Sequence, residues 1–116
     1  MKKLLSAVLV AAAFCLGGCA EKSAAVQNDR LYFFYADTCP HCHEAEAYIR
    51  QKHPGLKMEK VDVQTPQGYA LFVKCAEKFN LGQRIGTPLF CMGDNYLMGW
   101  APEYASRFDA YAQPFL

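Results

Sequence analysis

The sequence predicts an α/β domain in the order β-α-β-α-β-β-α, a four-stranded mixed sheet with helices on both faces. Three observations predict it. The run Leu31-Tyr32-Phe33-Phe34-Tyr35-Ala36 has the length and composition of a strand buried on both faces. Two helix starts follow, Cys39-Pro40 and Thr65-Pro66, each with proline at the first helical position, where a missing N–H costs nothing. Two short apolar runs then flank Gly93-Asp94-Asn95, a hairpin turn sequence. A chain of 116 residues suits one domain.

The elements follow in order. The first strand, Leu31 to Ala36, is broken by Asp37-Thr38. The first helix starts at Cys39, places Cys42, Ala45 and Ile49 on one face, and ends at His53-Pro54-Gly55. Leu56 to Val63 is the second strand, and its interleaved charges suit a sheet edge. Thr65 caps the second helix, whose Phe72, Cys75, Ala76 and Phe79 recur at i, i+3, i+4 and i+7 as a buried stripe. Asn80 to Gly86 is a loop. Pro88 to Met92 and Tyr96 to Met98 are the hairpin strands, and Pro102 to Tyr111 is the last helix. The first βαβ unit implies a parallel pair joined by a right-handed crossover. Tyr32, Phe33, Phe34 and Tyr35 are expected in the core, and Glu44 and Glu46 as exposed helix charges. Trp100 either packs under the last helix or lies near the functional face.

Composition narrows the function. The formal net charge is +1 and charged residues make up 20% of the chain. No basic stripe points to nucleic acid, and no acidic run points to a disordered tail. Lys2 and Lys3 precede an apolar run from Leu4 to Leu16, broken only by Ser6. That run is shorter than the roughly 20 residues a membrane span needs and fits an export signal. It ends Leu16-Gly17-Gly18-Cys19, which resembles the lipobox of bacterial lipoprotein signals. The resemblance implies cleavage before Cys19 and a lipid on its thiol. The expected organisation is a signal peptide (1–18), a lipid-anchored tether (19–30) and a folded domain (31–116). It places the protein in a bacterial envelope, facing the periplasm or another extracytoplasmic space. Of six cysteines, Cys15 would leave with the signal and Cys19 would carry lipid. The even set Cys39, Cys42, Cys75 and Cys91 remains, as expected in an oxidising compartment.

Cys39-Pro40-His41-Cys42 carries the chemistry. Two cysteines with two residues between them can close a disulfide across the first turn of a helix. Unsatisfied N–H groups and the positive end of the helix dipole favour an anion at the first cysteine. A thiol there has a lowered pKa, and the thiolate is the species that attacks disulfides. Stabilising it also makes the disulfide more oxidising. His41 adds to this when protonated or by donating a hydrogen bond. Cys39 is therefore the expected nucleophile and the inward-facing Cys42 the resolving thiol.

A C-x-x-C opening a helix after a buried strand, with Gly86-Thr87-Pro88 before a later strand, resembles the thioredoxin superfamily. The likeness spans Leu31 to about Tyr111. It implies a thioredoxin-like fold and thiol–disulfide exchange. It also implies a cis Thr87-Pro88 peptide facing the disulfide, with Thr87 docking the substrate backbone. The Pro40-His41 pair is that of the oxidising DsbA-type catalysts, while the compact layout resembles a glutaredoxin. Three departures stand out. Phe33 occupies the position where many relatives carry a buried acid. Ala36-Asp37-Thr38 and Met98-Gly99-Trp100 replace the basic residue and paired glycines of glutathione-binding glutaredoxins. No dimerisation domain is recognisable, which weakens an isomerase reading, and a monomer is expected. Expected partners are cysteine-containing exported proteins or a partner redox protein, with the membrane reached through lipid. No diffusible cofactor or metal is implied.

Other readings remain open at this level. Cys75 and Cys91 could form a structural disulfide, two buried thiols or a second redox pair. A structural disulfide there would add about 3 kcal/mol on the chain-entropy estimate. Cys39, Cys42 and His41 or His43 offer soft ligands to copper or zinc. Cys39-Pro40-His41-Cys42-His43 also matches the C-x-x-C-H haem signature, with Met58, Met92 or Met98 as axial ligand. The strongly apolar strand before the motif argues against haem. His43 is otherwise a solvated first-turn residue.

Overall fold

Alternation along one central strand sets the layers. In the computed structural model, which describes residues 25–116, strand β1 (Leu31–Tyr35) sends Leu31 and Phe33 to one side of the sheet and Tyr32 and Phe34 to the other. All four are buried. The expected signal peptide, the lipidation site Cys19 and the first part of the tether lie outside the described residues. After β1 come α1 (Pro40–Lys52), β2 (Glu59–Asp62), α2 (Pro66–Lys78), β3 (Leu89–Met92) and β4 (Asn95–Met98). A 3-10 turn, Pro102–Tyr104, leads into α3 (Ala105–Ala112), and another, Gln113–Phe115, follows.

The sheet order is β2-β1-β3-β4. β1 runs parallel to β2 and antiparallel to β3, and β3 and β4 form the antiparallel hairpin. α1 and α3 cover one face. There Cys42, Ala45, Ile49, Phe108 and Ala112 join Leu31, Phe33, Phe90, Met92 and Leu97. α2 covers the other, where Phe72 and Cys75 join Tyr32, Phe34, Leu89 and Cys91. The predicted mixed sheet with helices on both faces is the observed one. Phe33 and Phe90 stack across the strands with ring centroids 4.9 Å apart, a geometry worth about 0.5–1.5 kcal/mol beyond area burial.

Both predicted helix starts hold. Thr65 caps α2 by accepting from the Gly68 N–H at 2.9 Å. Gly68 is required there, because a Cβ would collide with the Asp62 carbonyl at the end of β2. Several boundaries differ from expectation. β2 is only Glu59–Asp62, since an edge strand has one partner and Leu56 and Met58 turn instead into the α1-side core. The last helix begins as a 3-10 turn and extends to Ala112. Trp100 is buried against Tyr48, Phe90 and Phe108, which places it under the last helix. Glu46 is half-buried and not an exposed charge. The end of the expected tether is docked. Val26 packs on the α2-side core, the Gln27 N–H donates to the Tyr32 hydroxyl, and Lys78 Nζ donates to Asn28 Oδ1.

α1 is tied to α3 by a polar cluster. The Tyr48 hydroxyl donates to Asp109 at 2.8–2.9 Å, and His53 Nε2 lies 2.7 Å from Asp109 Oδ1. Burial is the largest single influence on Asp109 and alone would raise its pKa. The hydrogen bonds from His53 and Tyr48, with the charges of His53 and Lys52, outweigh it and hold the carboxyl below its ordinary value near 3.8. Burial first, then the Asp109 hydrogen bond and charge, push the Tyr48 hydroxyl above 10.0. The depressed carboxyl stabilises the fold above its ordinary value and loses that contribution as pH falls through its folded value. The raised phenol stabilises below 10.0 and loses its contribution as pH rises through its folded value. Asp109→Ala is expected to cost about 1–2 kcal/mol near neutral pH. It should also flatten both the acid and the alkaline limbs of the stability curve. Thermal unfolding of both proteins across the pH range checks this; parallel curves would contradict it.

Candidate active site at the start of helix α1

β1 ends at Tyr35, and Ala36-Asp37-Thr38 turns the chain, with the Cys39 N–H donating to the Ala36 carbonyl at 3.1 Å. Cys39 is the N-cap of α1, with extended backbone (φ −100°, ψ 106°) and Pro40 at the first helical position. Its Sγ takes the place of a capping oxygen and accepts from the Cys42 N–H at 3.1 Å. Cys39 and Cys42 form a disulfide with Cα atoms 5.2 Å apart. Cys39 is half-exposed, whereas Cys42 is 2% exposed and lies in the apolar cluster with Phe33, Ala45 and Phe90. The two sulfurs therefore differ in access: one can meet a partner and the other cannot.

The hydrogen bond expected from His41 is made elsewhere. Its Nδ1 lies 3.0 Å from Glu44 Oε1 and its side chain is 63% exposed. The hydrogen bond at Cys39 Sγ comes from the Cys42 amide. His43 is exposed but not merely solvated, because its Nε2 lies 2.8 Å from the Asp37 carbonyl and ties the loop before the motif to the first turn of α1.

The Thr87-Pro88 peptide is cis, and the Thr87 carbonyl oxygen lies 3.5 Å from Cys39 Sγ. The fold thus brings Thr87-Pro88 to the disulfide. The loop is held from its far side, where the Gly99 N–H donates to the Pro88 carbonyl at 2.8 Å and the Gly86 N–H donates to Met98 Sδ at 3.4 Å.

Cys75 and Cys91 form a second disulfide, with Cα atoms 6.3 Å apart. It joins α2 to β3 in the α2-side core, on the opposite face of the sheet from Cys42. Both residues are buried, which is the arrangement of a structural staple. Among the described residues, no three His, Cys, Asp or Glu side chains are grouped so as to hold a metal ion. Sequence reasoning missed the pairing of Glu46 Oε2 on α1 with Lys60 Nζ on β2, 2.5 Å apart. It also missed the Tyr48–Asp109–His53 cluster. Both join elements distant in sequence, and no local pattern announces them.

No family model and no curated protein matches the chain. Solved structures do. The fold is similar to buckwheat glutaredoxin in complex with glutathione, at 21% identity and a TM-score of 0.52 over 74% of each chain. It is similar to the holo form of glutaredoxin C1 from Populus tremula x tremuloides, at 18% identity and a TM-score of 0.51 over 73% of this chain and 77% of that one. It is also similar to a glutaredoxin from Archaeoglobus fulgidus, at 16% identity and a TM-score of 0.50 over 68% and 84%. At these identities the likeness is one of fold, and the fold is thioredoxin-like in its compact glutaredoxin form.

The difference in access predicts an order of reactivity. Mild reduction is expected to open Cys39–Cys42 while Cys75–Cys91 persists. Brief alkylation should then mark Cys39 well ahead of Cys42. Peptide mapping by mass spectrometry reads both, and early labelling of Cys75 or Cys91 would contradict it.

Proposed function

We propose that the protein is a thiol–disulfide oxidoreductase of a bacterial envelope, working through the Cys39–Cys42 pair. The carrying observation is a half-exposed sulfur at a helix N-terminus, bonded to a buried sulfur and faced by a backbone carbonyl at 3.5 Å. In the reduced protein, the Cys39 thiolate is held by the Cys42 N–H and the helix dipole. It attacks one sulfur of a substrate disulfide, expels the other as thiolate, and forms a mixed disulfide. Cys42 then loses its proton and attacks Cys39 Sγ, releasing the second substrate thiolate. Two electrons have passed from the cysteine pair to the substrate, and the reverse sequence oxidises a substrate dithiol. Thr87 offers its backbone to the substrate chain next to Cys39, with Pro88 fixing the loop. Pro40 starts the helix that presents the sulfur. His41 adds positive charge to the motif when protonated.

The substrates are cysteines of exported proteins or of a partner redox protein, met by a monomer carrying lipid on Cys19. Asp37 is exposed just before the motif, and Met98-Gly99-Trp100 stands where paired glycines would be, which favours protein thiols over an anionic tripeptide. The disulfide itself is the redox group, so no diffusible cofactor is required.

Cys39→Ala is expected to abolish exchange with a protein disulfide such as insulin, and Cys42→Ala to accumulate the mixed disulfide on Cys39. Full exchange by the Cys39→Ala variant would overturn the assignment. The reduction potential of the pair sets direction: about −270 mV marks a reductase and about −120 mV an oxidant. Radiolabelled palmitate should enter the wild-type protein in a bacterial host and not a Cys19→Ala variant. Equal labelling would remove the lipid anchor from the reading.

A further inference from the structure

The resolving step requires the Cys42 thiol to lose a proton, and the interior around it offers no acceptor. Cys42 lies in the cluster formed with Phe33, Ala45 and Phe90, and no polar or charged residue among the described residues is buried. Glu46 is one turn further on the same helix. Residues four apart on a helix have Cβ atoms about 5–6 Å apart. Long helical side chains lean over the turn N-terminal to their own Cα, which for Glu46 is the turn of Cys42.

The surroundings of Glu46 point the same way. Its side chain is only 25% exposed, and Lys60 Nζ donates to its Oε2 at 2.5 Å. Lys60 pairs with Phe33 in the sheet register, and its ammonium lies 5.0 Å from the centre of the Tyr35 ring. Tyr35 and Cys39 both pack against the cluster that holds Cys42. The acid–base pair thus joins β2 to α1 one helical turn from Cys42. Besides Lys60 from β2 and Tyr35 from β1, the groups facing Glu46 are Arg50, at 4.0 Å, and His53, which shares a shallow groove with it. Glu44, also close in sequence, is turned toward His41 in solvent.

We infer that Glu46, positioned by Lys60, takes up the Cys42 proton in the resolving step, a role that rests on the exchange reading above. The proton passes from Cys42 Sγ to the Glu46 carboxylate, directly or through one water. The Cys42 electron pair then forms the bond to Cys39 Sγ, and the Cys39–substrate bond breaks toward the substrate sulfur. In the opposite direction Glu46 returns the proton to the departing Cys42 thiolate.

The test uses reduced protein and dithiobis-nitrobenzoate, which releases one coloured thiolate when Cys39 attacks and a second when Cys42 resolves. A Cys42→Ala variant identifies the first burst. In Glu46→Gln the second burst is expected to slow on the order of tenfold near neutral pH, below the ~10²–10⁴ usual for general acid–base transfer because a thiol ionises partly unaided. Its pH midpoint should move to higher pH. Lys60→Gln breaks the ion pair yet leaves the carboxylate, so its second burst should slow less and shift less than that of Glu46→Gln. A second burst in Glu46→Gln with the wild-type rate and pH profile would overturn the inference, as would equal alkaline shifts in both variants. A Cys39→Ala protein that keeps the first burst would instead sink the exchange reading itself.

Discussion

The register between β1 and β3 is the constraint on which the rest of the structure depends. Phe34 lies opposite Leu89 and Phe33 opposite Phe90. Followed outward, that register brings the end of β1 level with Thr87-Pro88 at the start of β3. The chain leaving β1 at Tyr35 then needs only the Ala36-Asp37-Thr38 turn to put Cys39 against Thr87. A slip of one residue in β1 would send Phe33 to the α2 side, away from Phe90, and detach the loop from the motif. The same alternation that sorts the two apolar layers thus aligns the redox site. Packing and function share one set of hydrogen bonds.

The two apolar layers also create the difference between the active cysteines. α1 lies on the sheet face with Cys42, Ala45 and Ile49 inward, so Cys42 is enclosed. Cys39 sits one position before the helix, where its sulfur serves as cap and remains accessible. Phe33 strengthens the contrast by filling the space under Cys42 with an apolar ring. A buried carboxylate there would have to be paired to offset its desolvation. The ion pair of Glu46 and Lys60 lies instead at the edge of the sheet, where water still reaches both groups.

Much of this was legible in the sequence, and for local reasons. The β1 run, the capping Thr65, the prolines at both helix starts and the stripe on α2 are local signals that the tertiary structure does not override. The disulfide motif was legible for the same reason, since strand, turn and cap are contiguous. What was not legible depends on partners far along the chain. β2 is short because only one neighbour pairs with it, while Leu56 and Met58 are drawn into the core. Residues 26–28 read as part of a polar tether, yet Tyr32, Lys78 and the α2-side core hold them. No local pattern singles out Asp109, whose partners Tyr48 and His53 lie 61 and 56 residues earlier.

The two disulfides divide their labour across the sheet. Exchange needs an attacking thiolate to approach a sulfur along the S–S axis, and Cys39 alone among the four bridged cysteines is open to such an approach. Cys75 and Cys91 staple α2 to β3, the strand that follows the Thr87-Pro88 loop. As free thiols they would compete with Cys39 for the partners of the proposed exchange once local opening exposed them. Bridged and buried, they steady the strand that follows the loop facing Cys39. They also leave Cys39–Cys42 as the one disulfide with an accessible sulfur among the described residues.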